Sequence, residues 1–438
     1  MRRRSVAPSL AVVLALLFAG WIGGAGAGAR QADPALALGG DPRVDAEDFR
    51  VTVFAEGLLF PFGMAELEDG SLLVGTSDPA GGGYFGGPSN LLRLVDEDGD
   101  GVADGAGMVL YGGLPGGITA MARAGELVFV TTGGSAPERI SVLRVGEEPD
   151  EPLTLMGSIE FGFEEGQEHR TYAVAARERQ GERGRIDLFF NVGSADNDGA
   201  GGSVAVSGLT EGVLEDASIY RVRIEEADGE PAFSEPEQIA SGLRNAAGIA
   251  VHPASGDLLF EDNGIDLPGN RIESLGADEL NLLPARAIGG EVEDFGFPGA
   301  YVEYRTGREV GGGGRQPLAA FQPQEGSESE GAVGVAVAPP GFPEGLNDGV
   351  FVGFHGQYDE TGLANEENPL VYVDLETGES FQFVGNEEPQ VGHLDSLLAT
   401  DDALFAVDVT GPGSILGAEP LGVIYAIRAA EPERTEDG

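Results

Sequence analysis

The sequence predicts an all-β protein, a six-bladed β-propeller of four-stranded antiparallel blades with long rim loops. Three observations carry this. A unit of small apolar residues, a polar turn, and a β-rich run ending in Gly, Asp or Asn recurs six times along the chain. Between the copies lie further alternating segments, such as SIYRVRIEE (218 to 226) and LVYVDLE (370 to 376), suited to the outer strands of each blade. Convincing amphipathic helices of more than three turns are missing.

Taken in order, residues 1–29 read as a signal peptide: Arg2, Arg3 and Arg4 are followed by an apolar stretch from Leu10 to Ile22 and a small-residue cleavage site near Ala27 or Ala29. That stretch is shorter than the roughly 20 residues a bilayer core requires. Residues 30–44 read as a flexible linker, 45–430 as the propeller and 431–438 as a disordered acidic tail. The six copies start at Pro61 (PFGMAELEDGSLLVGTSD), Gly116, Thr171, Arg244, Gly331 and His393. They are more widely spaced than the roughly 40 to 50 residues of a compact blade, so several blades carry inserted loops. FRVTVFAEGL near residue 50 and GVIYAIRAA near 425 are expected to complete one blade from both chain ends, which removes a free sheet edge.

Composition narrows the function. With 74 acidic and 25 basic residues, the formal net charge of -49 argues against a nucleic-acid partner, because phosphate binding runs on clustered cations. All the basic residues are arginine. The absence of cysteine excludes disulfides, thiolate metal sites and cysteine nucleophiles. A signal peptide and no other span of membrane length imply a secreted or periplasmic protein with no stable membrane insertion.

One loop has metal-binding spacing. DEDGDGVAD places Asp96, Asp98, Asp100 and Asp104 in a D-x-D-x-D-G-x-x-D pattern, with Gly101 at the turn. Alternating carboxylates on a tight loop converge hard oxygen ligands on Ca²⁺. An EF-hand would place Glu at the twelfth position, where Gly107 stands, so a short calcium loop in a hairpin fits better, and an acidic turn in an acidic protein is the alternative.

The stretch GLRNAAGIAVHPASGDLLFEDNG (242 to 264) joins an Arg-Asn pair to two apolar strands and a carboxylate-amide cluster. Followed by DELNLL (278 to 283) and DFGFPGAY (294 to 301), it resembles the signature run of soluble glucose and sorbosone dehydrogenases that use pyrroloquinoline quinone (PQQ). DLFFNVGSADND (187 to 198) and GVFVGFHGQ (349 to 357) are similar to the same family's third-blade and fifth-blade strands. The resemblance covers most of residues 45 to 430. It implies that Arg244 and Asn245 contact the cofactor, that Ca²⁺ is held by backbone carbonyls of Gly296-Phe297-Pro298, and that His169 is the general base. The substrate it implies is a small sugar, alcohol or aldehyde, with an external electron acceptor. PQQ is a planar tricarboxylate quinone, and guanidinium donors and hard oxygen ligands suit it and its cation.

The chain departs from the family at several cationic positions. His393 stands where the last blade usually has arginine, GTSD stands where the first blade often has Glu-Arg, and lysine contacts are impossible. Arg170, Arg271, Arg305 and Arg308 are the loop cations available to compensate. Two other readings follow: a propeller that binds without catalysis, and a metal-dependent lactonase with Asp262, Asn263 and Asn197 as channel ligands. His355 is expected to face the channel as a structural residue, and His252 to lie in an ordinary turn.

Overall fold

A computed structural model of the protein describes residues 36–79, 84, 86–134, 137–227, 230–268, 270–323, 331–356, 370–385 and 393–430. The expected signal peptide and acidic tail lie outside the described residues.

The chain is all-β, and six antiparallel sheets form the blades of a propeller. The innermost strands are Pro61–Glu66, Gly117–Ala124, Val174–Arg179, Gly248–Val251, Ala332–Val337 and Leu394–Ala399, one in each of the six sequence copies. Each packs on the next, and the last packs on the first, so the inner strands close a ring. Blade 6 is built from both ends of the chain. Phe49–Leu58 pairs antiparallel with Gly422–Ala429, as the sequence predicts.

Close approach between neighbouring blades explains small residues of the repeat. A Cβ on Gly248 would lie 1.8 Å from the Val333 carbonyl oxygen of the next blade, and one on Gly353 would lie 2.2 Å from the Leu394 carbonyl oxygen. Outside this tight ring, larger side chains fill the seams. Phe351 packs its ring edgewise against Phe342, Tyr372 and Phe383, with centroids 5.0 to 5.8 Å apart. Each such aromatic pair contributes about 0.5–1.5 kcal/mol beyond its buried area.

Two features were not legible in the repeats. The hairpin of Ser203–Gly208 and Gly212–Glu215 is inserted within blade 3 of the sequence, yet it extends the outer edge of blade 2 by pairing with Thr154–Gly162. Residues 36–44, read as linker, are packed: Leu36 and Val44 are buried beside Phe342 and Phe383, and Leu38 bridges Val384.

Candidate active site

In each blade the antiparallel pairing sets the start of the first strand beside the end of the second. Both therefore lie on one face of the ring, called the mouth here. The residues on it come from three sequence positions in each blade, which is why segments far apart in the chain meet there.

Blade 4 carries the most elaborate part. Asp262 ends its second strand and accepts hydrogen bonds from the backbone N–H groups of Arg244 (3.0 Å) and Asn245 (2.7 Å), fixing the turn into the inner strand. The ion pair of Arg244 is made elsewhere. Its guanidinium is buried and donates from Nη2 to Asp266 (2.8 Å), while Nε and Nη2 also donate to the Asn197 side chain of blade 3. Asn245 donates from Nδ2 to Asn263 (2.9 Å). Behind them Glu261 is fully buried, and Asp278 accepts from the amides of Gly264 and Ala332.

Burial shapes the electrostatics of this cluster. It raises the Glu261 carboxyl well above its ordinary range, with the neighbouring Asp278 and Asp262 adding to the effect. Burial also pushes Asp262 up to about 7, against the two backbone N–H groups that favour its charged form. The sequence reading of the site missed Glu261 and Asp278, although both lie in its most specific motifs, FEDNG and DELNLL.

His169 precedes the inner strand of blade 3. Its Nδ1 lies 2.9 Å from Ser194 Oγ, and that hydroxyl donates to the Asp196 carbonyl oxygen (2.8 Å). A serine hydroxyl has one proton, so it accepts from the imidazole. His169 therefore carries its proton on Nδ1 and its lone pair on Nε2. Beside it, Arg170 pairs with Glu138 at 2.8 Å, and Glu138 is buried with a raised pKa that the guanidinium opposes. Blades 5 and 6 add His355, whose Nδ1 donates to Asp395 Oδ1, and His393, whose Nδ1 donates to the His355 carbonyl oxygen.

The mouth leads into an axial cavity of about 60 Å³, bordered by all six inner strands and including Phe62, Thr119, Ala247, Val333, Asp395 and Ser396. Met121, Val174, Ile249 and Leu397 border both it and a wider opening of about 300 Å³ that Glu66 and Arg123 also line.

The structure brings His169, Arg244 and Asn245 to the same mouth. Gly296, Phe297 and Pro298 lie behind Gly242, whose carbonyl oxygen accepts from the Phe297 amide. The Gly296 carbonyl oxygen accepts from both the Gly299 and Ala300 amides at 2.9 Å, so backbone bonds already occupy it. Asp96, Asp98 and Asp104 converge within 4.8 Å of one another, whereas the Asp100 carboxylate turns to the Val102 amide. Their loop joins the third and fourth strands of blade 1, on the face opposite the mouth. Of the compensating cations, Arg170 is at the mouth, Arg305 stacks on Tyr304, and Arg308 approaches Glu303 at 3.6 Å. The Arg271 side chain lies outside the described residues. His252 sits in a turn, its Nδ1 accepting from Ala254 and Ser255, as expected.

The same architecture occurs in solved proteins. A Trichoderma reesei carbohydrate-active enzyme of family AA12, in its iodide structure, matches 92% of this chain and 100% of its own at 14% identity and TM-score 0.55. The PQQ-bound form of an aldose sugar dehydrogenase from Streptomyces coelicolor matches 88% of this chain and 99% of its own at 20% identity and TM-score 0.52. The PQQ domain of a pyranose dehydrogenase from Coprinopsis cinerea, in its holo form, matches 91% and 98% at 14% identity and TM-score 0.54. This chain shares their fold. No protein-family model matches the sequence, and no curated protein matches it. Among the described residues no helix is long and apolar enough to cross a membrane.

Proposed function

We propose that this protein is a quinoprotein oxidoreductase, oxidising a sugar or related alcohol or aldehyde with PQQ and Ca²⁺ and passing electrons to an external acceptor. The observation that carries this is the mouth of blades 3 and 4, where a buried guanidinium and an imidazole of defined tautomer stand on neighbouring strands. The donors fit a planar, carboxylate-bearing quinone. Arg244 and Arg170 supply N–H groups, each also paired with a carboxylate, Asp266 or Glu138. For Ca²⁺, one uncommitted oxygen at this mouth is the side-chain carbonyl of Asn245, which, like one carboxylate oxygen each of Glu138 and Glu261, has no hydrogen-bond partner among the described residues. Gly296 and Pro298 remain the ligands implied by the sequence resemblance, with the Gly296 oxygen needing release from its two amides.

When bound, the quinone supplies a two-electron acceptor for hydride. The protein's own part is positional. Asp262 fixes the Arg244-Asn245 turn, Asn197 and Asp266 hold the guanidinium plane, and Ser194 orients the imidazole of His169, the proposed general base, through Nδ1.

Titration of the cofactor-free protein with PQQ in the presence of Ca²⁺, followed by absorbance, tests the reading. Uptake at a ratio of one per chain is expected. Arg244→Ala is expected to weaken uptake by about 2–3 kcal/mol with the fold retained. His169→Ala is expected to bind PQQ normally and lower turnover roughly 10²–10⁴-fold. Wild type that takes up no PQQ at any Ca²⁺ concentration would leave a binding module.

A further inference from the structure

Three side-chain amides of blades 3 and 4 meet at the mouth, and their directions follow from partners that only donate or only accept. Asn197 is engaged at both ends: Oδ1 accepts from the Arg244 guanidinium and the Asp266 amide, and Nδ2 donates to the Asp266 carbonyl oxygen. Asn263 is also engaged at both ends. Its Nδ2 donates to the Ala332 carbonyl oxygen (2.7 Å) and to Glu261 Oε2 (3.1 Å). A backbone carbonyl oxygen cannot donate, so the end of the Asn263 amide facing Ala332 is its nitrogen. Its oxygen therefore faces Asn245, and an acceptor there, at 2.9 Å, requires the Asn245 nitrogen. The remaining end of the Asn245 amide is its oxygen, which is buried and has no hydrogen-bond partner among the described residues.

The anchor of this chain of bonds is well held. Ala332 opens the inner strand of blade 5 and is fully buried. Its amide donates to Asp278 Oδ2 (3.0 Å), whose other oxygen accepts from the Gly264 amide of blade 4 (2.8 Å). Asn263 cannot turn its amide over without setting its oxygen against the Ala332 carbonyl oxygen and the Glu261 carboxyl group. The direction of Asn245 is thus dictated from the next blade, through a residue that one reading of the sequence placed among channel ligands.

We propose that Asn263 is a positioning residue that presents Asn245 to the mouth as an acceptor, so that Asn245 meets the cation of the cofactor site through its oxygen. The proposal rests on the PQQ and Ca²⁺ reading above and narrows it. A contact from Asn245 to a quinone oxygen would use the amide nitrogen, which already bonds Asn263. The end left without a partner is the carbonyl oxygen, the kind of hard ligand that Ca²⁺ takes. Residues that orient such a ligand contribute to metal affinity through it.

The test follows PQQ uptake by the cofactor-free full chain, by absorbance, over a series of Ca²⁺ concentrations. Asn263→Ala frees the Asn245 amide to rotate. The Ca²⁺ concentration for half-maximal uptake is expected to rise roughly 10–100-fold, with one PQQ per chain still bound at saturating Ca²⁺. Asn263→Asp keeps an oxygen for the Asn245 nitrogen and is expected to return the Ca²⁺ requirement close to that of wild type, even where its melting temperature is lowered. A merely structural role would make the requirement follow the melting temperature across both variants. Asn245→Ala is expected to raise the requirement at least as much as Asn263→Ala, and combining the two to raise it no further, because Asn263 acts through Asn245. A requirement unchanged in Asn263→Ala overturns the proposal and leaves the oxidoreductase reading standing. So does PQQ affinity weakened equally at every Ca²⁺ concentration, which would put the Asn245 nitrogen on the quinone. Should Asn263→Ala not fold, Asn245→Ala decides in its place, an unchanged requirement again overturning the proposal. Wild type that takes up no PQQ at any Ca²⁺ concentration overturns both readings.

Discussion

Glu261 lies one residue before the Asp262 that fastens Arg244 and Asn245 in place, and it is closed off from solvent on every side. With Asp278 it makes blade 4 a store of carboxyl groups that burial drives toward the neutral form. A carboxyl with a raised folded pKa keeps its proton in the folded chain at a pH where the unfolded chain has released it. The stability it contributes is full below the unfolded value and is lost as pH rises through the folded value, about 7 for Asp262. Urea unfolding should therefore show a less stable protein at pH 8 than at pH 5. Repulsion among surface carboxylates pushes the same way, so the difference between variants isolates the cluster. Glu261→Gln keeps the shape and removes the titration. It should flatten the pH dependence and raise stability at pH 8 by about 1–3 kcal/mol. A variant with the wild-type pH slope would show that Glu261 is charged in the folded protein and satisfied.

At the scale of strands and loops, what the sequence disclosed was whatever depends on neighbours in the chain. The six inner strands were visible because each needs small residues where neighbouring blades approach, a demand met locally by Gly, Ala and Ser. Arg244, Asn245 and Asp262 were visible together because one short hairpin carries them. The Arg244 ion pair with Asp266, the bond between His355 and Asp395, and the transfer of the 203–215 hairpin to blade 2 were not, because each joins segments that only ring geometry brings together. Gly248→Ala tests this close approach. Its Cβ would meet the Val333 carbonyl oxygen, which is backbone and cannot rotate away, and a loss of about 2–4 kcal/mol is expected in thermal or urea unfolding. The acidic loop tests another element. It is tied to the first strand by the Thr52 hydroxyl donating to the Gly101 carbonyl oxygen and the Ala103 amide donating to the Phe54 carbonyl oxygen. If Ca²⁺ fills the Asp96, Asp98 and Asp104 cluster, chelation should lower the melting temperature by several degrees, and Asp98→Ala should abolish that difference. Identical melting with and without chelator would remove calcium from this loop.

For the whole molecule, closure of the ring decides whether six marginal sheets become one cooperative unit. The strand Phe49–Leu58 does three things at once. It pairs along its length with Gly422–Ala429, it contributes Phe49 and Phe54 to two separate seams, and it anchors the acidic loop of blade 1. Blade 6 without it keeps three strands and presents the long apolar edge of GVIYAIRA to solvent, an open template for pairing with another chain. Deleting Phe49 to Leu58 should therefore cost far more than the burial of its own side chains. Expected are aggregation on expression or, where protein stays soluble, loss of the single cooperative melting transition seen for wild type. The high negative charge works against association, so the aggregation should grow as salt screens that repulsion, from low ionic strength to about 1 M, where the Debye length falls to about 3 Å. Supplying the missing strand as a separate peptide should restore solubility if edge pairing is the cause. A deletion product that stays monomeric at high salt and melts in one transition would show that five blades and a three-stranded sixth already close the ring, and that the terminal strand serves the acidic loop instead.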